Sequence, residues 1–256
     1  MTADATTSGP SPPEMHHSLN LHSQQPSSDA NKGPTRGASL WKFATVNVTS
    51  AQAEGQKISA VGAMLARLGF DGMAFQEHKL HSARIVDVVA RLKHEGWHAA
   101  LTPAKAGKND HSFSSGVGIA MAADIAMAAP PSLGRWFQYP QPERFTAQLC
   151  DGMVPGGFYF ISCYFFSGNG VEVYNKLLLR DVLGWIKTVG RPFIIGADWN
   201  MTPQELIDLG ELKAFPATIV APTAWTCNAG KGRAIDYFLV SDTLRGMVKS
   251  LSLIHI

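Results

Sequence analysis

Pro192-Phe193-Ile194-Ile195-Gly196-Ala197-Asp198-Trp199-Asn200 is the stretch on which the reading of this chain turns. Residues 192–196 form a continuous apolar run, which reads as a buried strand. An acid and an amide follow it at Asp198 and Asn200. A carboxylate beside a buried strand is costly unless something compensates its charge. The same pattern recurs in both directions along the chain. Asn47 follows an apolar run over 43–46, Glu77 follows one over 73–75, and Asp236 sits inside another over 235–240. A hard cation is one compensating partner, because it favours oxygen ligands. Acidic and amide side chains converging at one end of a sandwich would form a magnesium site. Taken singly, each position reads equally well as a turn residue or a helix N-cap.

The segments between these positions define the fold class. Residues 41–48 alternate and are β-branched, as a strand requires. Residues 58–68 carry apolar side chains at helical spacing and end at Gly69, as a C-cap would. Further strands are expected at 72–75, 97–101, 116–121, 145–149, 158–164 and 234–240, with helices at 83–92 and 171–189. Strands come singly and in hairpins with helices between, an order that suits a mixed α/β sandwich better than an alternating parallel sheet.

Composition narrows the class of protein. The chain has 256 residues, 45% of them hydrophobic, and a net charge of +2. That length supplies one good-sized core or two small ones. The near-neutral balance gives no global basic excess to argue for nucleic acid. Cys150, Cys163 and Cys227 are far apart, lack metal-ligand spacing and are odd in number, which fits buried thiols in a reducing compartment. No apolar run is long enough to span a membrane, and residues 1–38 carry no basic-then-apolar leader. The expectation is a soluble, monomeric intracellular protein, with the nucleus open to it. Residues 1–38 are rich in Ser, Pro, Thr, Asn and Gln, include His16, His17 and His22, and are expected to be disordered.

The polar positions also occur in a familiar order. Thr45-Val46-Asn47-Val48, Phe75-Gln76-Glu77-His78-Lys79, Ile161-Ser162-Cys163-Tyr164, Gly196-Ala197-Asp198-Trp199-Asn200 and Ile235-Asp236-Tyr237-Phe238-Leu239-Val240-Ser241 together resemble the endonuclease/exonuclease/phosphatase superfamily. Each motif is weak alone, but five in order over roughly 200 residues form a specific signal. The resemblance implies a four-layer α/β sandwich like that of deoxyribonuclease I, with two mixed β-sheets packed face to face and helices outside. It implies hydrolysis of phosphate esters with Mg2+ or Mn2+. Glu77 would be the main metal ligand, with Asn47 beside it. Asp198 would orient or deprotonate the attacking water, and Asn200 would hydrogen-bond the phosphate or the nucleophile. Tyr164 would donate to a phosphate oxygen, and Asp236 would hold a catalytic histidine in the right tautomer. Arg144, just before a strand, reads equally as a phosphate contact and as a member of a surface ion pair.

Two departures from the pattern stand out. Thr49 occupies a position that is acidic in many family members. The family pattern also ends in an Asp-His or Ser-His pair about 20 to 30 residues after the position of Asp236, whereas the histidine that follows here is His255, in Leu251-Ser252-Leu253-Ile254-His255-Ile256. That hexapeptide reads as the translation of CTG TCT CTT ATA CAC ATC, part of a transposon end used in library preparation. The expectation is therefore a catalytic domain over 39–250 that lacks its last strand, followed by an artefact over 251–256, and a polypeptide with little or no activity.

Other readings are weaker. His94-Glu95-Gly96-Trp97-His98 matches a zinc-protease pattern literally, but Gly96 and Trp97 argue against the continuous helix it needs. His78 and His81 read as loop residues beside the metal ligand. The mildly basic stretches over 105–111 and 231–233 could follow a nucleic-acid backbone. Arg233 and Ala234 stand where abasic-site enzymes of the family place an aromatic pocket, although Trp225 is close by. A DNA endonuclease of retrotransposon or abasic-site type is the favoured reading. An inositol-phosphate phosphatase-like monoesterase and a non-catalytic retroelement relic are the alternatives.

Overall fold

Two hydrophobic periodicities build the elements. In residues 56–67 the apolar side chains of Ile58, Val61 and Leu65 recur at helical spacing and all three are buried. In residues 41–47 successive side chains go to opposite faces, so Phe43 joins one core while Ala44 and Val46 join another. The computed structural model of the chain describes residues 41–48, 56–107, 113–131, 141–168, 170, 172–223, 226 and 232–255, all within one unit spanning Leu40–Ile256. The expectations for residues 1–38, Thr49, 108–111, Trp225, Cys227 and Lys231 lie outside the described residues.

In chain order the elements are β1 (Trp41–Asn47), α1 (Gln56–Arg67), β2 (Gly72–Gln76), α2 (Ser82–His94), β3 (Trp97–Leu101), β4 (Lys105–Ala106), β5 (Phe113–Ser114), β6 (Gly118–Ala122), β7 (Met127–Ala128), β8 (Phe145–Cys150) and β9 (Phe158–Tyr164). They continue with α3 (Glu172–Val189), β10 (Phe193–Asp198), α4 (Pro203–Asp208), β11 (Ala217–Val220), β12 (Asp236–Ser241) and β13 (Val248–His255). One sheet has the order β13-β1-β2-β6-β3 and the other β11-β12-β10-β9-β8-β7, while β4 and β5 form a separate hairpin. Both large sheets mix parallel and antiparallel pairs.

Three apolar layers separate the four structural ones. α1 and α2 pack through Leu65, Val88 and Leu92 on the outer face of the first sheet. Phe43, Ala74 and Met121 of that sheet meet Phe158, Phe160, Ile194 and Phe238 of the second. α3 covers the far face of the second sheet through Leu179, Val182 and Trp185. The architecture is the expected four-layer α/β sandwich, with the two mixed sheets face to face and the helices outside. Because the central strands are covered on both faces, they read as continuous apolar runs.

One polar cluster crosses the apolar middle layer. Gln76 is fully buried. Its Oε1 accepts from Thr45 Oγ1 at 3.1 Å, and its Nε2 donates to Ser162 Oγ and to the Gly196 carbonyl, both at 3.0 Å. Ser162 Oγ in turn donates to the Phe75 carbonyl at 2.7 Å. The carboxamide thus ties β1 and β2 to β9 and β10. The sheets approach closely here because Gly196 has no side chain. A Cβ at that position would lie 3.0 Å from Ala74 Cβ and 3.1 Å from Thr45 Cβ.

The end of the chain adds a further strand to the first sheet. Residues 251–255, set outside the domain on sequence grounds, lie in β13, which pairs in parallel with β1 and brings the backbone of His255 opposite Asn47. A ladder needs only a segment able to extend, and an apolar hexapeptide satisfies that.

Replacing Gln76 by leucine removes the bridge while keeping the volume. The Gly196 carbonyl and the Ser162 and Thr45 hydroxyls then lose buried partners, at about 1–3 kcal/mol for each group left unsatisfied. Urea denaturation of Gln76→Leu is expected to show a loss of at least about 2 kcal/mol, whereas a midpoint equal to wild type would show that the bridge is dispensable.

Candidate active site

Strand register brings the sequence-selected residues together. On the second sheet Asp198 pairs with Tyr164 of β9 on one side and with Asp236 of β12 on the other. On the first sheet Asn47 pairs with Gln76, and Glu77 follows directly. The two sheets meet where Asn47 Nδ2 donates to Asp198 Oδ2 at 2.7 Å. Asp198 ends its strand, two residues beyond the apolar run by which the sequence located it, and Asp236 begins its own instead of lying inside it.

Asp198 carries the strongest electrostatic signature of the rim. It is 3% exposed and shares the rim with Asp236 and Glu77. Burial and then the Asp236 charge raise its pKa above the usual carboxylate range. The opposing influences are hydrogen bonds from the Asn200 backbone N–H, at 3.0 Å to Oδ1, and from Asn47. Asn200 adopts a left-handed φ of 50° and donates from Nδ2 to the Phe165 carbonyl at 2.9 Å. Its side chain therefore anchors the loop, and one amide hydrogen remains for other use.

Glu77 sits at the first sheet's edge of the same rim with a φ of 56°. Lys79 Nζ approaches its Oε1 at 3.0 Å. Among the described residues, the non-glycine positions with positive φ are Glu77, Lys79, Ser115 and Asn200. Lys79 N–H donates to the Ser115 carbonyl, so three of the four belong to one loop pair. Left-handed backbone at such residues costs on the order of 1–3 kcal/mol and concentrates at functional sites. The neighbouring His78 is buried, with Nδ1 accepting from Leu80 N–H at 3.0 Å, and burial lowers its pKa to about 4. These contacts hold its ring inside the loop.

Arg144 lies against Tyr164. Its Nη1 donates to the Tyr164 carbonyl at 3.1 Å, and its guanidinium lies over the rings of Tyr164, at 5.0 Å, and Phe166, at 3.8 Å. Glu77 and Asp198 both act on it electrostatically, while burial lowers its pKa. The Tyr164 hydroxyl pKa is raised by burial and by the charges of Glu77 and Asp198. Arg144 is therefore a cation facing the carboxylates, and Tyr164 a neutral donor beside them.

Several supporting residues had no distinct role in the sequence reading. Trp199 is fully buried between Phe165 and Tyr237, with ring centroids 4.8 and 5.2 Å away, and its Nε1 donates to the Tyr237 carbonyl. This stack stiffens the turn between Asp198 and Asn200. Thr226 Oγ1 accepts the N–H groups of Ile235 and Asp236 at 2.8 and 3.0 Å and so fixes the start of β12. Trp199 had only its place beside Asp198 as a signal, and Thr226 had none. The basic stretch near 233 is less free than expected, because Arg233 pairs with Glu205.

Metal binding can be judged from the donor set. Among the described residues no group of three or more His, Cys, Asp or Glu side chains is arranged to hold an ion. Mg2+ does not need one, since it keeps several waters and takes one or two carboxylates plus substrate phosphate. Glu77 with the Asn47 amide fits that mode, and the raised Asp198 carboxyl marks an excess of negative charge that a cation would relieve. A zinc-protease arrangement is absent from residues 94–98, because His94 ends α2 while His98 lies in β3.

The fold is shared with solved structures. An AP endonuclease, LMAP, from Leishmania major superposes with a TM-score of 0.60 at 16% identity, over 82% of this chain and 81% of that one. An endonuclease/exonuclease/phosphatase family protein from Bacteroides thetaiotaomicron gives 0.53 at 14% identity, over 78% and 82%. A mannosyl-6-phosphatase from the same organism gives 0.51 at 16% identity, over 78% and 85%. No family model and no curated protein matches the sequence.

The raised Asp198 carboxyl has a consequence for stability. The folded state holds its proton to a higher pH than the unfolded state does, so stability is complete below the unfolded value of 3.8 and falls as pH rises toward the folded value. Asp198→Asn removes that penalty. In thermal melts at several pH values, its stability relative to wild type is expected to increase from pH 4 to pH 8, and a difference independent of pH would contradict the assigned electrostatics.

Proposed function

We infer, from a chain that has the fold of the endonuclease/exonuclease/phosphatase proteins, that it is a divalent-cation-dependent phosphodiester hydrolase acting on DNA, an endonuclease of retrotransposon or abasic-site type. The observation that carries this reading is the Asn47–Asp198 bridge, which closes a rim holding Glu77, Tyr164, Arg144 and Asp236.

Hydrolysis of a phosphodiester needs charge neutralised on non-bridging oxygens, an activated water and help for the leaving oxygen. Glu77 and the Asn47 amide oxygen would hold Mg2+ or Mn2+, which supplies Lewis-acid neutralisation when bound. Asp198 orients the attacking water and accepts its proton, a task favoured by a carboxyl whose pKa is raised toward the working pH. Asn47 and the Asn200 backbone hold that carboxylate in one orientation. Arg144 and the neutral Tyr164 hydroxyl donate to non-bridging oxygens, and the remaining Asn200 amide hydrogen is available to the phosphate. Asp236 orients a histidine.

A phosphomonoesterase is the second reading, favoured by the mannosyl-6-phosphatase likeness. Parallel assays on a supercoiled plasmid, bis(4-nitrophenyl) phosphate and 4-nitrophenyl phosphate separate the two. Diester cleavage dependent on Mg2+ or Mn2+ is expected, with kcat lowered about 10²–10⁴-fold in Asp198→Asn. Turnover of the monoester alone would favour the second reading. Turnover of none of the three would make the fold a non-catalytic relic.

A further inference from the structure

Beside the rim lies a cavity of about 430 Å³, between the β4–β5 hairpin and the loop after β9. Its walls include Lys105, Ser114, Gln141, Glu143, Arg144 and Phe166. That volume is within the usual range for small-molecule sites. One wall is the reverse side of the reaction centre, since the same Arg144 guanidinium covers both Tyr164 and Phe166. The surface continues outward from there. Phe166 and Tyr174 have ring centroids 5.7 Å apart, and Tyr174 is 58% exposed beside Val173 and Leu177, which are 67% and 51% exposed on the first turns of α3.

The fold holds this aromatic strip in place. Asn175 is 2% exposed, and its side chain exchanges two hydrogen bonds with the backbone of Phe166, accepting from its N–H at 2.8 Å and donating to its carbonyl at 3.1 Å. A buried amide inside a helix is used here to fix a half-exposed ring. Ordered rings beside cations suit a ligand with flat π-faces and negative charges between them. A duplex conceals its base faces, whereas an unpaired strand presents them.

We propose that Arg144, Phe166 and Tyr174 form a stacking strip for unpaired nucleotides adjoining the scissile phosphate. The cavity receives a base against the Arg144–Phe166 wall, and the next base lies on the exposed Tyr174 ring, with Lys105 near the backbone. The inference rests on the phosphodiesterase reading for the position of the phosphate and adds the class of substrate, DNA carrying a single-stranded segment.

The test is fluorescence-anisotropy binding of a labelled oligo-dT strand and of a blunt duplex of equal length, with EDTA present so that nothing is cleaved. Hydrolysis of bis(4-nitrophenyl) phosphate by the wild type is measured in parallel. Tyr174→Ala is expected to weaken single-strand binding about tenfold while changing duplex binding less than about twofold, and Tyr174→Trp is expected to restore it. Leu68→Ser, at an exposed position in the turn that follows α1, serves as a control with no change. Equal single-strand affinity in Tyr174→Ala, or an equal loss on both ligands, would overturn the strip even if the diester is hydrolysed. A selective loss without hydrolysis of the diester would uphold the strip and reject the proposed chemistry.

Discussion

The Gln76 carboxamide is the constraint on which the arrangement depends. A sandwich of two sheets held by apolar contacts alone can slide, because Phe43, Phe158, Phe160 and Phe238 offer dispersion without direction. Gln76 adds direction. Its donors reach Ser162 and Gly196 on one sheet while its oxygen accepts from Thr45 on the other. Gly196 allows that reach by leaving space where a Cβ would collide with Ala74. One residue further on from Gln76 is Glu77, two residues on from Gly196 is Asp198, and two residues on from Ser162 is Tyr164. The register that satisfies the buried amide therefore also sets the separation of the groups proposed to act on phosphate.

The rim at this end is stabilised against its own chemistry. Three carboxylates influence one another there, and two of them, Asp198 and Asp236, are 3% exposed. Glu77 holds a left-handed backbone that it does not prefer, and Asn200 one that asparagine tolerates better than most residues. These costs are offset by ordinary means close by: the Phe165–Trp199–Tyr237 stack under one loop, and the paired backbone bonds between residues 78–79 and 115–116 under the other. Local destabilisation held by surrounding packing is the pattern expected where a site has been kept for function and not for stability.

Much of this was legible in the sequence. The strands over 97–101 and 158–164 match expectation, and α1, α2 and α3 differ by a residue or two at their ends. Long periodic segments declare themselves, whereas the two-residue strands β4, β5 and β7 owe their existence to neighbours and have no pattern of their own. α4 does have a signature, with Thr202 and Glu205 forming a capping box and Pro203 at its first turn, but six residues are too few for periodicity to register. The candidate site was legible as a set of polar residues at strand ends, and the register brings Asn47, Tyr164, Asp198 and Asp236 to one rim, with Glu77, Asn200 and Arg144 around them. The sequence did not disclose which polar groups serve the packing. Gln76 and Ser162 looked like parts of motifs and are bridge members. Trp199 stood in the sequence only as the residue between Asp198 and Asn200, and it underpins the Asp198 turn. Phe166 and Tyr174 carried no signal at all, because a stacking surface is a property of the placement of rings and not of their spacing.

The central claim is that this rim is an oxygen-donor site for a divalent cation, centred on Glu77. Titration of Mn2+ into the protein, followed by the electron paramagnetic resonance of the free ion, tests it without reference to any substrate. One saturable Mn2+ site per chain is expected in the wild type, lost or greatly weakened in Glu77→Gln. Saturable binding unaffected by Glu77→Gln, or no binding at all in the wild type, would contradict it.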